Sequence, residues 1–134
     1  MSVGPRAARS ARAALALAFA AFALSGCAWL RRPQHELLVT ATAYTSPSPP
    51  AKGLVTTTAF GLWLRPGMRI IAISRDLEAM GLTRGVRIRI DGVDGEWEVG
   101  DRTAKQWTRR IDLYMGDDVD AARAFGKRQV RIHW

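Results

Sequence analysis

Residues 86–99 read VRIRIDGVDGEWEV, and the fold class of the whole chain follows from this stretch. Its first half alternates strictly between apolar and basic residues, which is typical of a strand with one buried face. The turn at 91–95 contains two glycines, and the second half alternates again. We therefore predict a β-hairpin whose solvent face pairs arginines with glutamates across the two strands, namely Arg87, Arg89, Glu96 and Glu98.

The residues around this hairpin predict further short elements separated by turns rich in Gly and Pro. Further strands are predicted at 37–44, 54–60, 68–73, 111–115 and 129–134, and helices at 74–81 and 119–126. Ser74 is expected to cap the first helix, and Val119 to lie on the inward face of the second. Many short strands in a small chain need closure or stacking. The prediction is a mainly β fold, a barrel of six or seven strands with two short helices.

The first 27 residues are typical of an export signal rather than of a folded domain. Three arginines precede an apolar run at 13–23, and residues 24–27, LSGC, follow directly. This tetrapeptide resembles the bacterial lipobox, which implies cleavage before Cys27, lipidation of its thiol and anchoring in a membrane. The next residue is Ala28. By resemblance to lipoprotein sorting, that implies the periplasmic side of the outer membrane.

After the signal, residues 28–36 are expected to form a polar tether and residues 37–134 a single domain, expected to be a monomer. The chain has a formal net charge of +8, which favours anionic partners. Export argues against nucleic acid and leaves anionic lipid and the anionic cell wall. The two histidines lack metal-ligand spacing, so we predict no metal site and no cofactor.

Two aspartates, Asp101 and Asp112, interrupt apolar runs that otherwise favour strands. Strands are depleted in Asp, so an acid between Ile111 and Leu113 is unusual. Because alternate residues of a strand share a face, Asp112 faces away from those two neighbours and lies on the same face as Arg110. Two carboxylates in one groove could perform acid/base chemistry, whereas on an open face they would be surface charges. The spacing alone leaves both interpretations open.

Five motifs in a fixed order extend the analysis to a known family. They are ATAYT at 41–45, GMRIIAI at 67–73, GVRIRI at 85–90, the Asp-x10-Asp pair inside 100–116, and ARxFGxxxVxI at 122–132. This order resembles the 3D domain, named for three aspartates, and is similar to the C-terminal domain of membrane-bound lytic transglycosylase A. More distantly it is similar to RlpA-like proteins. The resemblance covers residues 39–134 and implies a double-psi β-barrel.

The resemblance also implies roles for individual residues. Asp112 falls on the position of the catalytic aspartate of the lytic transglycosylase, and Asp101 on the second family aspartate. The position of the first family aspartate is occupied by Ser74, with Asp76 two residues later. The implied reaction is cleavage of the β-1,4 bond between N-acetylmuramic acid and N-acetylglucosamine without water, with formation of a 1,6-anhydro ring.

Three functions remain open at this point. The chain could cleave or remodel peptidoglycan glycan strands, bind peptidoglycan without catalysis, or serve as a structural envelope protein that scaffolds a partner. In the first two cases the groove is predicted to be lined by polar and aromatic side chains, namely Thr42, Tyr44, Ser74 and Trp107. Trp107, Trp63 and Tyr44 are the candidates for stacking on sugar rings, whereas Trp97 and Trp134 are predicted to pack in the core.

Overall fold

The computed structural model describes Met1, residues 35–46 and residues 57–134. The elements are β1 (Glu36–Tyr44), β2 (Ile70–Ile73), α1 (Arg75–Ala79), β3 (Arg87–Ile90), β4 (Val93–Arg102), β5 (Arg110–Tyr114), α2 (Val119–Phe125) and β6 (Arg128–His133). The strands close into one barrel in the order β1-β5-β2-β4-β3-β6. The predicted fold class is confirmed as a mainly β, closed barrel with two short helices, and its described strands number six.

The barrel contains both parallel and antiparallel pairs. Strand β1 runs parallel to β5, and β2 runs parallel to β4, while the other four pairings are antiparallel. Parallel neighbours require long crossover connections, so strands that touch come from distant parts of the chain. In the strand order, β1, β5, β2 and β4 are successive neighbours, and they form one continuous wall of the barrel.

The interior is filled by alternate residues of all six strands, as the period-two pattern predicts. These core side chains are apolar and nearly inaccessible, and include Val39, Ile71, Ile88, Trp97, Ile111 and Ile132. Leu77 of α1 is also fully buried in this cluster. The prediction for Trp97 is therefore confirmed. Trp134 is partly buried against the same core and stacks on His35, with ring centroids 5.2 Å apart.

The predicted hairpin is present as β3 and β4. Its register pairs Arg87 with Glu98 and Arg89 with Glu96, as the alternation predicts. The Arg89 and Glu96 side chains form an ion pair of 3.3 Å and are both largely exposed. This pair therefore lies on a solvated face and contributes little to stability.

Two predicted elements differ from the structure. In the described part of the predicted strand 54–60, no strand forms: Thr57 lies in an isolated β-bridge with Trp63, and the chain then turns. The turn forms because the Thr58 hydroxyl accepts the backbone N–H groups of residues 60 and 62. On α2, Val119 is 41% exposed rather than inward-facing. The helix packs on the core through Phe125, at its opposite end.

Apart from Met1, the predicted signal segment, including Cys27, lies outside the described residues, as does the tether up to residue 34. Strand β1 begins at Glu36, so the last residue of the predicted tether belongs to the barrel. Across residues 35–46 and 57–134, no helix is long and apolar enough to cross a membrane.

A β-bulge in β4 determines which way Asp101 points. Trp97 and Val99 point into the core, so strict alternation would send Asp101 inward too. The register between β2 and β4 instead shifts by one residue, so that Ala72 pairs with Asp101 and Gly100 is the extra residue. The bulge therefore puts Asp101 on the outer face of the wall.

A glycine is required at position 100 because the side chains of Ile70 and Leu62 approach its backbone closely. A Cβ at this position would lie 2.8 Å from Cγ2 of Ile70 and 3.1 Å from Cδ2 of Leu62. Contacts this short force the neighbours to shift. The bulge and its glycine are thus one structural feature.

We expect Gly100→Ala to lower the free energy of unfolding by about 1–3 kcal/mol, because the added methyl group overpacks against Ile70. Urea unfolding measures the change. The same substitution in an Ile70→Ala background should cost less, since the clashing methyl groups are gone. Equal costs in the two backgrounds would contradict this account of the bulge.

Candidate active site

Four residues form one register row across the outer wall of the barrel. Thr42 on β1 pairs with Asp112 on β5, Asp112 pairs with Ala72 on β2, and Ala72 pairs with Asp101 on β4. Neighbouring strands lie about 4.8 Å apart, so the Cα atoms of the two aspartates are roughly 10 Å apart. Ala72, a residue with only a methyl side chain, lies between them in the register. We call these four residues the aspartate row.

The Asp112 carboxylate has two hydrogen-bond partners. Arg110 lies two residues earlier on β5, and Thr42 lies on the adjacent strand β1. Nε of Arg110 donates to Oδ1 of Asp112 at 3.1 Å, and the Thr42 hydroxyl donates to the same oxygen. Nη2 of Arg110 also donates to the Thr42 hydroxyl oxygen at 2.9 Å. The Arg110 and Asp112 side chains are only 16% and 21% exposed. This closed triad follows from the shared parity of positions 110 and 112.

Trp107 joins the site through the same arginine. The Arg110 guanidinium carbon lies 4.1 Å from the centre of the Trp107 ring, a cation–π contact. The indole remains 42% exposed, on the loop between β4 and β5. Arg110 therefore contacts both the predicted stacking residue and the Asp112 carboxylate.

Asp101 is bound mainly by backbone groups. Its Oδ1 accepts the N–H of Ala59 at 2.7 Å and the N–H of Arg102 at 2.8 Å. Its Oδ2 accepts the hydroxyl of Tyr44 at 3.4 Å. The carboxylate thus ties the loop around Ala59 to the wall. It also connects β4 with β1, three strand positions away.

Tyr44 lies within electrostatic reach of both aspartates. Burial raises the pKa of its hydroxyl well above the ordinary value of 10.0, and the charge of Asp101 and the hydrogen bond to it raise the pKa further. Smaller contributions come from Tyr114 and Asp112. The Tyr44 and Tyr114 ring centroids are 5.4 Å apart. Tyr44 is therefore a neutral hydroxyl group at the aspartate row under ordinary conditions.

Ser74 does not line the groove as predicted, because its side chain is fully buried. It occupies the N-cap position of α1, yet its side chain makes no cap hydrogen bond. Its Oγ instead accepts the backbone N–H of Arg110 at 3.0 Å, and its own N–H donates to the Arg110 carbonyl at 2.9 Å. Ser74 thus fixes the start of β5 beneath the site.

Asp76, the acid that follows Ser74 in the chain, lies outside the aspartate row. Its Oδ2 accepts the backbone N–H of Arg109 at 2.8 Å, and Arg109 has a left-handed φ of 44°. Burial alone would raise the pKa of Asp76, but hydrogen bonds from the Ser74 hydroxyl and from backbone N–H groups, first that of Arg109, lower it. Asp76 therefore stabilises the strained turn that positions Arg110.

Arg102, next to Asp101, makes a second ion pair that sequence reasoning missed. Its guanidinium donates two hydrogen bonds to Glu78 of α1, at 2.7 and 2.6 Å, and lies 4.4 Å from the centre of the Phe60 ring. The hydrogen bond from Arg102 lowers the pKa of Glu78. No short-range pattern signals this pair, because its members are 24 residues apart.

The site combines the oxygen atoms of Thr42, Tyr44, Asp101 and Asp112 with the guanidinium group of Arg110. In the described part of the chain, no group of three His, Cys, Asp or Glu side chains could hold a metal ion. Two carboxylates, a neutral phenol and a guanidinium on one wall can exchange protons or hydrogen-bond sugar hydroxyls. Of the predicted site residues, Thr42, Tyr44, Asp101 and Asp112 meet there, Trp107 adjoins them, and Ser74 lies below.

We expect strong coupling between Arg110 and Asp112 in a double-mutant cycle. Arg110→Gln should lower the free energy of unfolding by about 1–3 kcal/mol, because it leaves a partly buried carboxylate without its cation. The same change in an Asp112→Asn background should cost distinctly less. Urea unfolding of the four proteins measures the coupling, and additive effects would show that the ion pair does not contribute to stability.

The raised pKa of Tyr44 predicts a loss of stability in alkali. An unfolded Tyr44 ionises near pH 10.0, whereas the folded residue keeps its proton. The unfolded state then binds fewer protons, so the free energy of unfolding falls as pH rises above about 10, by up to about 1.4 kcal/mol per pH unit. Urea unfolding between about pH 8 and 11 should show a shallower fall in Tyr44→Phe. Parallel curves would contradict the assignment.

Comparison with known proteins adds no assignment of its own. No family model matches this chain, and no curated protein matches it. What the site can do is therefore inferred from the aspartate row, its partners and its exposed aromatic neighbour.

Proposed function

We propose that this protein acts on the glycan strands of peptidoglycan, with Asp112 as the acid/base and Asp101 as the second acid of the site. The observation that supports this most is the aspartate row, in which two carboxylates flank a single methyl group on one wall. Carboxyl pairs in glycosidic cleavage are separated by about 5–9.5 Å, and a Cα–Cα separation of roughly 10 Å allows the two side chains, if they lean toward each other, to reach that range.

The proposed reaction is a lytic transglycosylase-like cleavage. Once released from Arg110, Asp112 takes up a proton from solvent and donates it to the glycosidic oxygen as the bond to C1 breaks. The C6 hydroxyl of the same sugar then attacks C1, and Asp112 accepts its proton, so the product carries a 1,6-anhydro ring and no water is consumed. The Tyr44 hydroxyl, which stays protonated, can donate a hydrogen bond to the sugar or to Asp101.

Substrate binding must open the contact between Arg110 and Asp112 in this proposal. Without ligand, Asp112 accepts hydrogen bonds from Arg110 and Thr42 at one of its oxygens. A sugar ring stacking on Trp107 would compete with the guanidinium for the indole face. Arg110 would then be free to leave Asp112, which couples sugar binding to the availability of the acid.

A non-catalytic peptidoglycan-binding module is the second candidate. The observation that favours it is that both carboxylates already have stable partners, Asp112 in an ion pair and Asp101 in two backbone hydrogen bonds. In that case the row would hydrogen-bond sugar hydroxyls while Trp107 or Trp63, which is 60% exposed, stacks on a ring. For either function we propose an envelope lipoprotein anchored through Cys27 on the periplasmic side of the outer membrane.

Incubation with purified peptidoglycan sacculi tests the cleavage proposal. The wild-type protein should release 1,6-anhydromuropeptides, detected by mass spectrometry. Asp112→Asn should lower the release rate by about 10²–10⁴, the usual effect of removing a general acid, while the variant still pellets with sacculi. Asp120→Asn, an exposed acid on α2, is the matched control and should retain the rate.

A wild-type protein that pellets with sacculi but releases nothing between about pH 4 and 8 would contradict the enzyme proposal, since carboxyl groups of ordinary or raised pKa titrate in that range. The binding module would then account for the site. Loss of pelleting in Trp107→Ala would support stacking as the mode of binding.

A further inference from the structure

A hollow of about 300 Å³ is lined by residues of β2, β3 and β4 and of the segment that leads into β2. Its lining combines two apolar side chains with four charged ones, namely Met68, Ile70, Arg69, Arg87, Glu96 and Glu98. The strand register places three of them in one line, because Ile70 pairs with Glu98 and Glu98 pairs with Arg87. We call this feature the charged hollow.

The charges of the hollow are not neutralised by one another. Arg87 and Glu98 are cross-strand partners, yet among the described residues neither forms an ion pair. Arg69 donates to a neutral group, the backbone carbonyl of Asp94, at 3.0 Å. Only Glu96 is paired, with Arg89 outside the hollow. Two guanidinium groups and one carboxylate therefore surround the apolar floor without an ionic partner.

The position of Arg69 is fixed by the first residues of β4. Gly95 has a φ of 76°, and a Cβ at that position would overlap Nη1 of Arg69. The guanidinium thus lies directly over the glycine, where its bond to the Asp94 carbonyl orients it. A guanidinium has five N–H donors, so several remain for a ligand. Arg69 is therefore held in one orientation and keeps free N–H donors.

We propose that the charged hollow binds the peptide branch of a peptide-substituted glycan strand. Arg69 and Arg87 would bind its carboxylates, Glu98 an ammonium or amide N–H group, and Met68 and Ile70 its aliphatic parts. This inference rests on the proposed function, because it assumes that the sugar occupies the aspartate row.

The spacing of the two sites fits a branched ligand. Ile70 of the hollow precedes Ala72 of the aspartate row by two residues on β2, a distance of roughly 7 Å along the strand. A sugar bound at the row could therefore extend its peptide substituent directly into the hollow. The hollow would then make the protein prefer peptide-bearing over peptide-free glycan.

Calorimetric titration with N-acetylmuramyl-tetrapeptide and with N-acetylmuramic acid tests this directly. The peptide-bearing ligand should bind the full chain at least about tenfold more tightly, and Arg87→Gln or Arg69→Gln should each remove about tenfold, the effect of losing one charge-assisted hydrogen bond. Arg84→Gln, which removes the same charge from an exposed turn, is the matched control and should bind as wild type does. Thermal unfolding verifies that each variant is folded.

Equal affinity for the two ligands would overturn the inference, as would an Arg84→Gln loss as large as that of Arg87→Gln. Sacculi stripped of peptide by an amidase separate this inference from the proposed function. Equal cleavage of stripped and intact sacculi would refute the hollow's role and leave the proposed cleavage standing. Arg87-dependent binding of the muramyl peptide without any cleavage would refute the cleavage and support the hollow.

Discussion

Barrel closure is the constraint on which the rest of this structure depends. Each of the six described strands is hydrogen-bonded on both sides, so the barrel has no open sheet edge. All four residues of β2 are buried and pair in parallel with β4, and the last three also pair antiparallel with β5. Strand β2 lies between β4 and β5. Asp101 of β4 and Asp112 of β5 both pair with Ala72 of β2, so the two acids lie on either side of this residue.

The two carboxylates of the site are partly buried, and each has hydrogen-bond donors beside it. A carboxylate taken out of water needs a cation or several hydrogen-bond donors to remain stable. Asp112 is stabilised by a cation, Arg110, whereas Asp101 is stabilised by two backbone N–H donors. Arg110 is itself positioned from below by Ser74 and by the turn that Asp76 stabilises. The row is therefore supported by contacts that come from four separate segments of the chain.

The two faces of the wall have different physical roles. The inner face carries the apolar residues that exclude water and hold the barrel together. The outer face carries the aspartate row and, beside it on β2, β3 and β4, the charged hollow. A second apolar cluster, Leu64, Ile70 and Tyr114, packs on this outer face. Polar and apolar side chains thus share the same surface, and the sheet beneath keeps both in register.

The sequence by itself determined the features that depend on local periodicity and parity. Alternation specified the hairpin and its Arg–Glu pairs, the buried tryptophan Trp97, and the shared face of Arg110 and Asp112. Tertiary structure alone decided the bulge at Gly100, the burial of Ser74 and the contact of Asp76 with Arg109. The physical reason is that each of these depends on which strands become neighbours. Parity within a strand is a local property, whereas register between strands that are distant in the chain is set only when the barrel closes.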